Sequence, residues 1–245
     1  MVPWMERYLR RHLNALRIAR WGEPPRHAGP IVVYANHPAW WDAVLFIVLA
    51  GRLFPERACF APIDAAMLRK YAIFGRIGAF GVDLASPRGA AAFLRESGAI
   101  LADPGHALWV TPQGRFVDPR QRPLGLRPGI AHLAELAPEA WFLPLAIEYC
   151  FWNERGAEAL VGFGSPLTAR KLLRHDRADR LTVLEAALTM ALDQLALDAM
   201  ARDPDRFRLL VAGRAGIGGV YDLGRRLRAL ASGRGFDPAH GGREP

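Results

Sequence analysis

The sequence predicts an α/β fold: a mixed, mainly parallel sheet flanked by helices, with an amphipathic helix at the N-terminus. Three observations predict it. Short apolar, β-branched runs such as residues 31–36 (IVVYAN) read as strands buried on both faces. Segments with helical spacing separate these runs, and strands alternating with helices build a sheet covered on both sides. The 245 residues are 51% apolar, enough to bury a full core and to exclude a natively disordered chain.

Residues 3–21 carry Met5, Leu9, Leu13 and Leu16 at helical spacing, with Trp4 and Tyr8 alongside and Pro3 in the first turn. Arg7, Arg10, Arg11, Arg17 and Arg20 supply the charge. Such a helix either lies at a lipid interface or packs on the core behind a solvated arginine face. A Pro/Gly-rich connector at 22–30 leads to the strand at 31–36 and a helix over about 38–50. Further strands are expected at 58–61, 79–84, 108–111, 141–149 and 159–163. Further helices are expected near 65–73, 88–101, from 129, over 178–202 and over 221–231. The organisation is an N-terminal helix and connector (1–28), an α/β domain (29–232) and a flexible Gly/Pro/Arg-rich tail (233–245).

The net charge is +8, and the positive charge is almost all arginine: only Lys70 and Lys171 are lysines. A basic surface favours anionic partners such as phospholipid headgroups, phosphorylated small molecules or an acidic carrier protein. No recognised nucleic-acid-binding module accompanies the charge, so nucleic acid is not an expected partner. Cys59 and Cys150 sit in apolar runs, which reads as a reduced intracellular chain with two buried thiols, and there is no zinc pattern. The charge-free apolar stretch at 43–51 falls short of the roughly 20 residues that span a bilayer. The N-terminus lacks the apolar core of a secretory signal. The expected location is cytoplasmic, peripheral on the inner face of the cell membrane.

The segment Tyr34-Ala35-Asn36-His37-Pro38-Ala39-Trp40-Trp41-Asp42 lies where a strand ends and a helix begins. Ligands of open α/β sheets gather at this end of the strands. Asn36 or His37 is placed to cap the helix, Pro38 fits its first turn, and Asp42 falls about one turn further in. A His just outside the helix can turn back toward the Asp. The carboxylate then takes one ring nitrogen and leaves the other as a base, a triad's orienting logic without the serine. This suggests that a substrate hydroxyl attacks an acyl carbonyl directly, its proton passing to His37. Trp40 and Trp41 either floor an acyl tunnel or pack under the helix. A second loop, after Pro112, contains Gly114, which allows a positive φ or close backbone approach to a ligand. With Arg115 beside it, this loop reads as an anion or oxyanion site. Arg120, Arg122 and Arg127 follow as candidate phosphate contacts or a solvated rim. An apolar run with glycines at 213, 216 and 218 has the reverse of dinucleotide-loop spacing and reads as a connection.

These residues resemble the glycerophospholipid acyltransferases of the lysophosphatidate acyltransferase type. NHPAWWD is similar to that family's NHxxxxD block. Residues 74–83 (FGRIGAFGVD) are similar to its second block, 110–116 (VTPQGRF) to its F-P-E-G-T-R block, and 142–147 (FLPLAI) to its V-P-V-x-I block. The four stand in the family's order across about residues 30–165. The resemblance implies His37 and Asp42 as the catalytic pair. It implies substrate contacts at Asn36, Trp41, Arg88, Pro112, Gln113, Gly114, Arg115 and Pro144. It implies no metal and no cofactor, with acyl-CoA or acyl-carrier protein as co-substrate and a lipid hydroxyl as acceptor. Three positions depart from the pattern. Leu84 stands where the second block usually ends in Arg, with Arg88 the nearest one downstream. Gln113 replaces the usual Glu. Phe116 holds the usual Arg position, with Arg115 one residue early. The family uses these blocks to hold an acceptor phosphate, so the departures point away from simple lysophosphatidate. The alternative reading is a basic lipid-binding or scaffold protein that keeps the fold without the activity.

Overall fold

Along residues 31–35, Val32 and Tyr34 point to one face of a strand, and Ile31, Val33 and Ala35 to the other; all five are buried. A strand with two apolar faces needs a helical layer on each side. The computed structural model describes residues 1–83 and 86–213, and it supplies both layers.

In chain order the elements are α1 (Val2–His12), β1 (Ala15–Ala19), β2 (Ile31–Ala35), α2 (Asp42–Leu53), β3 (Ala58–Asp64), α3 (Ala65–Lys70), β4 (Ala79–Val82), α4 (Pro87–Leu101), β5 (His106–Val110), α5 (Gly129–Leu136), β6 (Trp141–Cys150), β7 (Glu158–Phe163), β8 (Leu167–Thr168), α6 (Ala169–Leu172), α7 (Arg177–Ala201) and β9 (Phe207–Ala212). The strands form one sheet in the order β4-β3-β5-β2-β6-β7-β1-β9, with β8 paired to β6. Pairing is parallel from β4 through to β6 and between β7 and β1. It is antiparallel at β6–β7, β6–β8 and β1–β9. The expected mixed, mainly parallel α/β architecture is the one observed.

Leu9 of α1 and Val44, Leu45, Val48 and Leu49 of α2 cover the Ile31/Val33 face. Leu101 of α4, Ile130 and Leu133 of α5 and Leu184, Leu188 and Leu195 of α7 cover the Val32/Tyr34 face. Each fully buried leucine contributes roughly 1.5–3 kcal/mol, which sets these helices against the sheet more firmly than any surface ion pair does. Asp176 caps α7 by accepting from the Asp179 amide at 2.9 Å. The buried Tyr34 hydroxyl donates to the Leu184 carbonyl at 3.1 Å, tying the central strand to α7.

Pro144 stands inside β6, a central strand. Its carbonyl accepts from the Gly164 amide at 2.9 Å. Its protonless nitrogen faces the same side, between the end of β8 pairing at Phe142 and the start of β7 pairing at Leu145. The missing donor falls in a gap of the ladder and leaves no bond broken.

The structure corrects the N-terminal reading. The helix expected over residues 3–21 stops at His12, and residues 15–19 form β1 between β7 and β9. Leu13 and Leu16 continue the helical spacing, but Ala15, Leu16, Ile18 and Ala19 are equally a run buried on both faces of a strand. The Asn14 amide donates to the Ala157 carbonyl at 2.8 Å, and the Asn14 side chain bonds the Glu158 carboxylate. Arg17 donates to Glu158 at 2.7 Å, so a charge assigned to a solvated face is committed inside the sheet. Sheet pairing with distant residues overrides the local period. The apolar run ahead of the glycines is β9; residues from 214 on, including the expected connection, last helix and tail, lie outside the described residues.

Two smaller corrections follow. The helix expected from residue 38 begins at Asp42, so Asp42 opens the helix instead of lying a turn inside it. The helix expected over 65–73 ends at Lys70 and gives way to a 3-10 turn at 72–77. Cys59 and Cys150 are free and only partly buried; burial pushes both thiols up, Cys150 to about 12. Among the described residues, no helix is long and apolar enough to cross a membrane.

Candidate active site

β2 is flanked by two parallel neighbours, β5 and β6, and its C-terminal end opens onto the edge where β3, β4 and β5 also end. Asn36 is the first residue past β2. Its side chain is buried and pairs twice with Ile147 of β6: Nδ2 donates to the carbonyl and Oδ1 accepts from the amide, each at 2.9 Å. Asn36 therefore clamps the strand end; it does not cap α2.

His37 follows with its side chain 24% exposed, and Asp42 opens α2 fully buried. The His37 Nδ1 lies 2.6 Å from Asp42 Oδ2. The same oxygen accepts from the Ala39 amide at 3.2 Å, and Asp42 Oδ1 accepts from the Tyr149 hydroxyl at 2.7 Å. A buried carboxylate stays ionised when its oxygens are filled by donors. With Nδ1 donating to Asp42, Nε2 is the ring nitrogen left to accept.

The loop after β5 is built against this pair. Gln113 is buried; its Oε1 accepts from the His37 amide and its Nε2 donates to the Leu124 carbonyl, both at 2.9 Å. The Val117 amide donates to the His37 carbonyl at 2.9 Å, so the loop holds the His37 main chain by one side-chain and one backbone bond. Pro112 is buried and its carbonyl accepts from the Arg127 amide at 2.8 Å. Gly114 has φ +63°, and its amide is used by the Thr111 carbonyl at 2.9 Å. The positive φ favours glycine; a Cβ there would also meet the Arg127 side chain, which is exposed and can move aside. Arg115 is exposed, with no hydrogen-bond or ion-pair partner among the described residues. Arg120 and Arg122, by contrast, pair with Asp118 and Asp193. The exposed Phe116 ring lies against His37 with centroids 4.5 Å apart.

Trp41 joins Trp40, Tyr8 and His12 in an aromatic cluster between α1 and α2, with centroid separations of 5.6 Å to Tyr8, 5.8 Å to His12 and 5.7 Å to Trp40. Trp4 stacks on Tyr8 at 5.9 Å. Trp4 and Trp40 are 62% and 56% exposed, so the cluster presents an aromatic ridge to solvent.

Two expected contacts are not joined to the pair. Arg88 is exposed in the first turn of α4, with no contact to His37 or Asp42 among the described residues. Pro144 is enclosed in the sheet beside Gly164 and Ala191, on the α7 side. Leu84 lies outside the described residues. Tyr149 was missed by the sequence reading. Its signal was position: a polar-tipped aromatic at the end of the strand beside β2, in phase with Leu145 and Ile147.

No protein-family model and no curated protein matches the chain. Among solved structures it is similar to the crystal structure of the 1-acyl-sn-glycerophosphate (LPA) acyltransferase PlsC from Thermotoga maritima. The TM-score is 0.50 over 75% of this chain and 73% of that one, at 14% sequence identity. The chain has the PlsC fold. In this version of the PlsC fold, the neutral Gln113 is explained by its neighbours: it must accept from His37 and donate to Leu124, which an ionised Glu cannot do.

That requirement yields a pH-dependent prediction. In Gln113→Glu, only the protonated carboxyl can donate to Leu124, so its folded-state value is raised above the usual glutamate value of about 4.3. Stability is near wild type below about pH 4 and is lost as pH rises through the raised value. Urea unfolding at pH 8 should show a deficit of about 1–3 kcal/mol. An equal deficit at both pH values would contradict the bond assignment.

Proposed function

We propose that the chain is an O-acyltransferase that moves a fatty acyl group from acyl-CoA or acyl-carrier protein to the hydroxyl of a lysophospholipid or related lipid. The observation that carries this is the 2.6 Å contact between His37 Nδ1 and the buried Asp42 carboxylate, at the sheet edge of a PlsC fold. The similar structure is that of an LPA acyltransferase, and the four blocks of the sequence resemble, in order, those of that enzyme type. A protein that only bound lipid would have no use for a directed His–Asp pair with its outer nitrogen free.

The acceptor oxygen attacks the thioester carbonyl carbon as its proton passes to His37 Nε2. Asp42 holds the ring in one tautomer and stabilises the imidazolium that forms. The tetrahedral oxyanion collapses, the carbon–sulfur bond breaks, and the thiolate leaves with the proton from His37. An ester and a thiol are the products, with no acyl-enzyme, metal or cofactor in the path. The unpaired Arg115 is suited to donor phosphates or the oxyanion.

Phe116 bears on the acceptor. An aromatic ring stands against His37 where the family carries an arginine, so the group beside the reacting hydroxyl is apolar or bulky, not a bare phosphate. A lysophospholipid with a larger headgroup, an amino-lipid or a glycosylated polyisoprenoid fits this. The exposed Trp4 and Trp40, with Arg7 and Arg11 alongside on α1, suit an anionic membrane surface, and the proposed location is the inner face of the cell membrane.

His37→Ala should cut thiol release and ester formation at least about a hundredfold while the melting temperature holds. Wild-type turnover in that variant would reject the mechanism and leave the binding-only reading. Phe116→Arg should raise the rate with lysophosphatidate relative to lysolipids with larger headgroups. An unchanged ratio, or an inherent wild-type preference for lysophosphatidate, would reject the acceptor assignment.

A further inference from the structure

We infer that Tyr149 is a positioning residue for the His37–Asp42 pair, setting the orientation of the carboxylate that selects the histidine tautomer. The inference rests on the general-base reading above.

β2 ends at Ala35, paired with Leu145, while β6 runs on to Cys150. Past that point β6 loses its β2 partner, and Asn36 ties it in through Ile147. Tyr149, four residues beyond Leu145 on the same strand face, is carried roughly 13 Å further along the strand. Its hydroxyl meets Asp42 Oδ1 at 2.7 Å. Asp42 is thus held from three places: Oδ2 by His37 and the Ala39 amide, and Oδ1 by Tyr149.

A carboxylate on a short side chain can rotate, and its two oxygens are equivalent until something distinguishes them. Tyr149 on Oδ1 and the Ala39 amide on Oδ2 distinguish them. Tyr149 also supplies the donor that Oδ1 would otherwise lack in a fully buried position. Burial and the neighbouring Asp42 charge both push the phenol up, so the hydroxyl keeps its proton and remains a donor. With Oδ1 committed, Oδ2 faces Nδ1, and the lone pair stays on Nε2. Without the hydroxyl, Oδ1 lacks its donor and only the Ala39 amide and the His37 ring hold the carboxylate, which weakens the preference for the Nδ1-protonated tautomer.

The test uses full-length protein with nitrogen-15-labelled histidine. The His37 signal is assigned by its loss in His37→Ala. The wild type should show a single tautomer protonated at Nδ1. Tyr149→Phe, which removes one oxygen and keeps the ring, should show a mixture. Its kcat should fall about tenfold, with KM changed less than about twofold. Replacing Tyr149 with p-aminophenylalanine, which restores a donor at the same ring position, should recover the single tautomer. In an Asp42→Asn background, Tyr149→Phe should cost no further activity. A wild-type tautomer in Tyr149→Phe overturns the inference, whether or not kcat falls, because loss of packing alone would leave the tautomer in place. The tautomer is read without turnover. Failure of the acyltransferase reading, seen as an active His37→Ala, is therefore separate from failure of this one.

Discussion

The site depends on supplying donors to one carboxylate in a fully buried position. Asp42 is fully buried, and burying an ionised carboxylate costs several kcal/mol unless donors fill its oxygens. Three donors do so, from the His37 ring, the Ala39 backbone and the Tyr149 side chain. They come from the residues leading into α2 and from β6, a strand more than a hundred positions away in sequence. Neither end of this arrangement functions without the sheet that brings them together.

The fold supplies that meeting in steps. Asn36 clamps the end of β2 to β6, and Gln113 clamps the loop after β5 to the His37 backbone. His37 is therefore held on its main-chain side by neutral bonds and on its ring side by a charged one. Its remaining nitrogen has no partner among the described residues. The loop spends most of its polar groups on its own shape: Gly114 N–H goes to Thr111, and Arg120 and Arg122 go to nearby carboxylates. Arg115, next in sequence to Phe116, is exposed with no partner among the described residues. This division between groups that build the site and groups free to bind is invisible in composition.

Much of this was legible in the sequence. The run at 31–36 is apolar on both faces, and the spacing of strands and helices required a covered parallel sheet. His37 and Asp42 stood out because they sit at a strand-to-helix junction. What the sequence concealed was set by distant contacts. Residues 15–19 satisfy a helical period as well as a strand, and only β7 and β9 decide between them. The start of α2 at Asp42 could not be read, because the chain before it is held by Gln113 and Val117 of another loop. Tyr149 lies in an ordinary apolar strand, and its partner is apparent only once β6 is seen to overrun β2. Arg88 is the nearest arginine downstream of Leu84, yet it lies in the first turn of α4 with no contact to the pair among the described residues.

The central claim is that an acceptor hydroxyl, activated by His37, attacks the thioester with no acyl-protein in between. Intact-protein mass spectrometry during a single turnover, with thiol release followed in the same mixture, tests it most directly. The account predicts an unchanged protein mass, and thiol and ester appearing one for one only when a lipid acceptor is present. A protein heavier by one acyl group, or thiol released equally fast without acceptor, would contradict it.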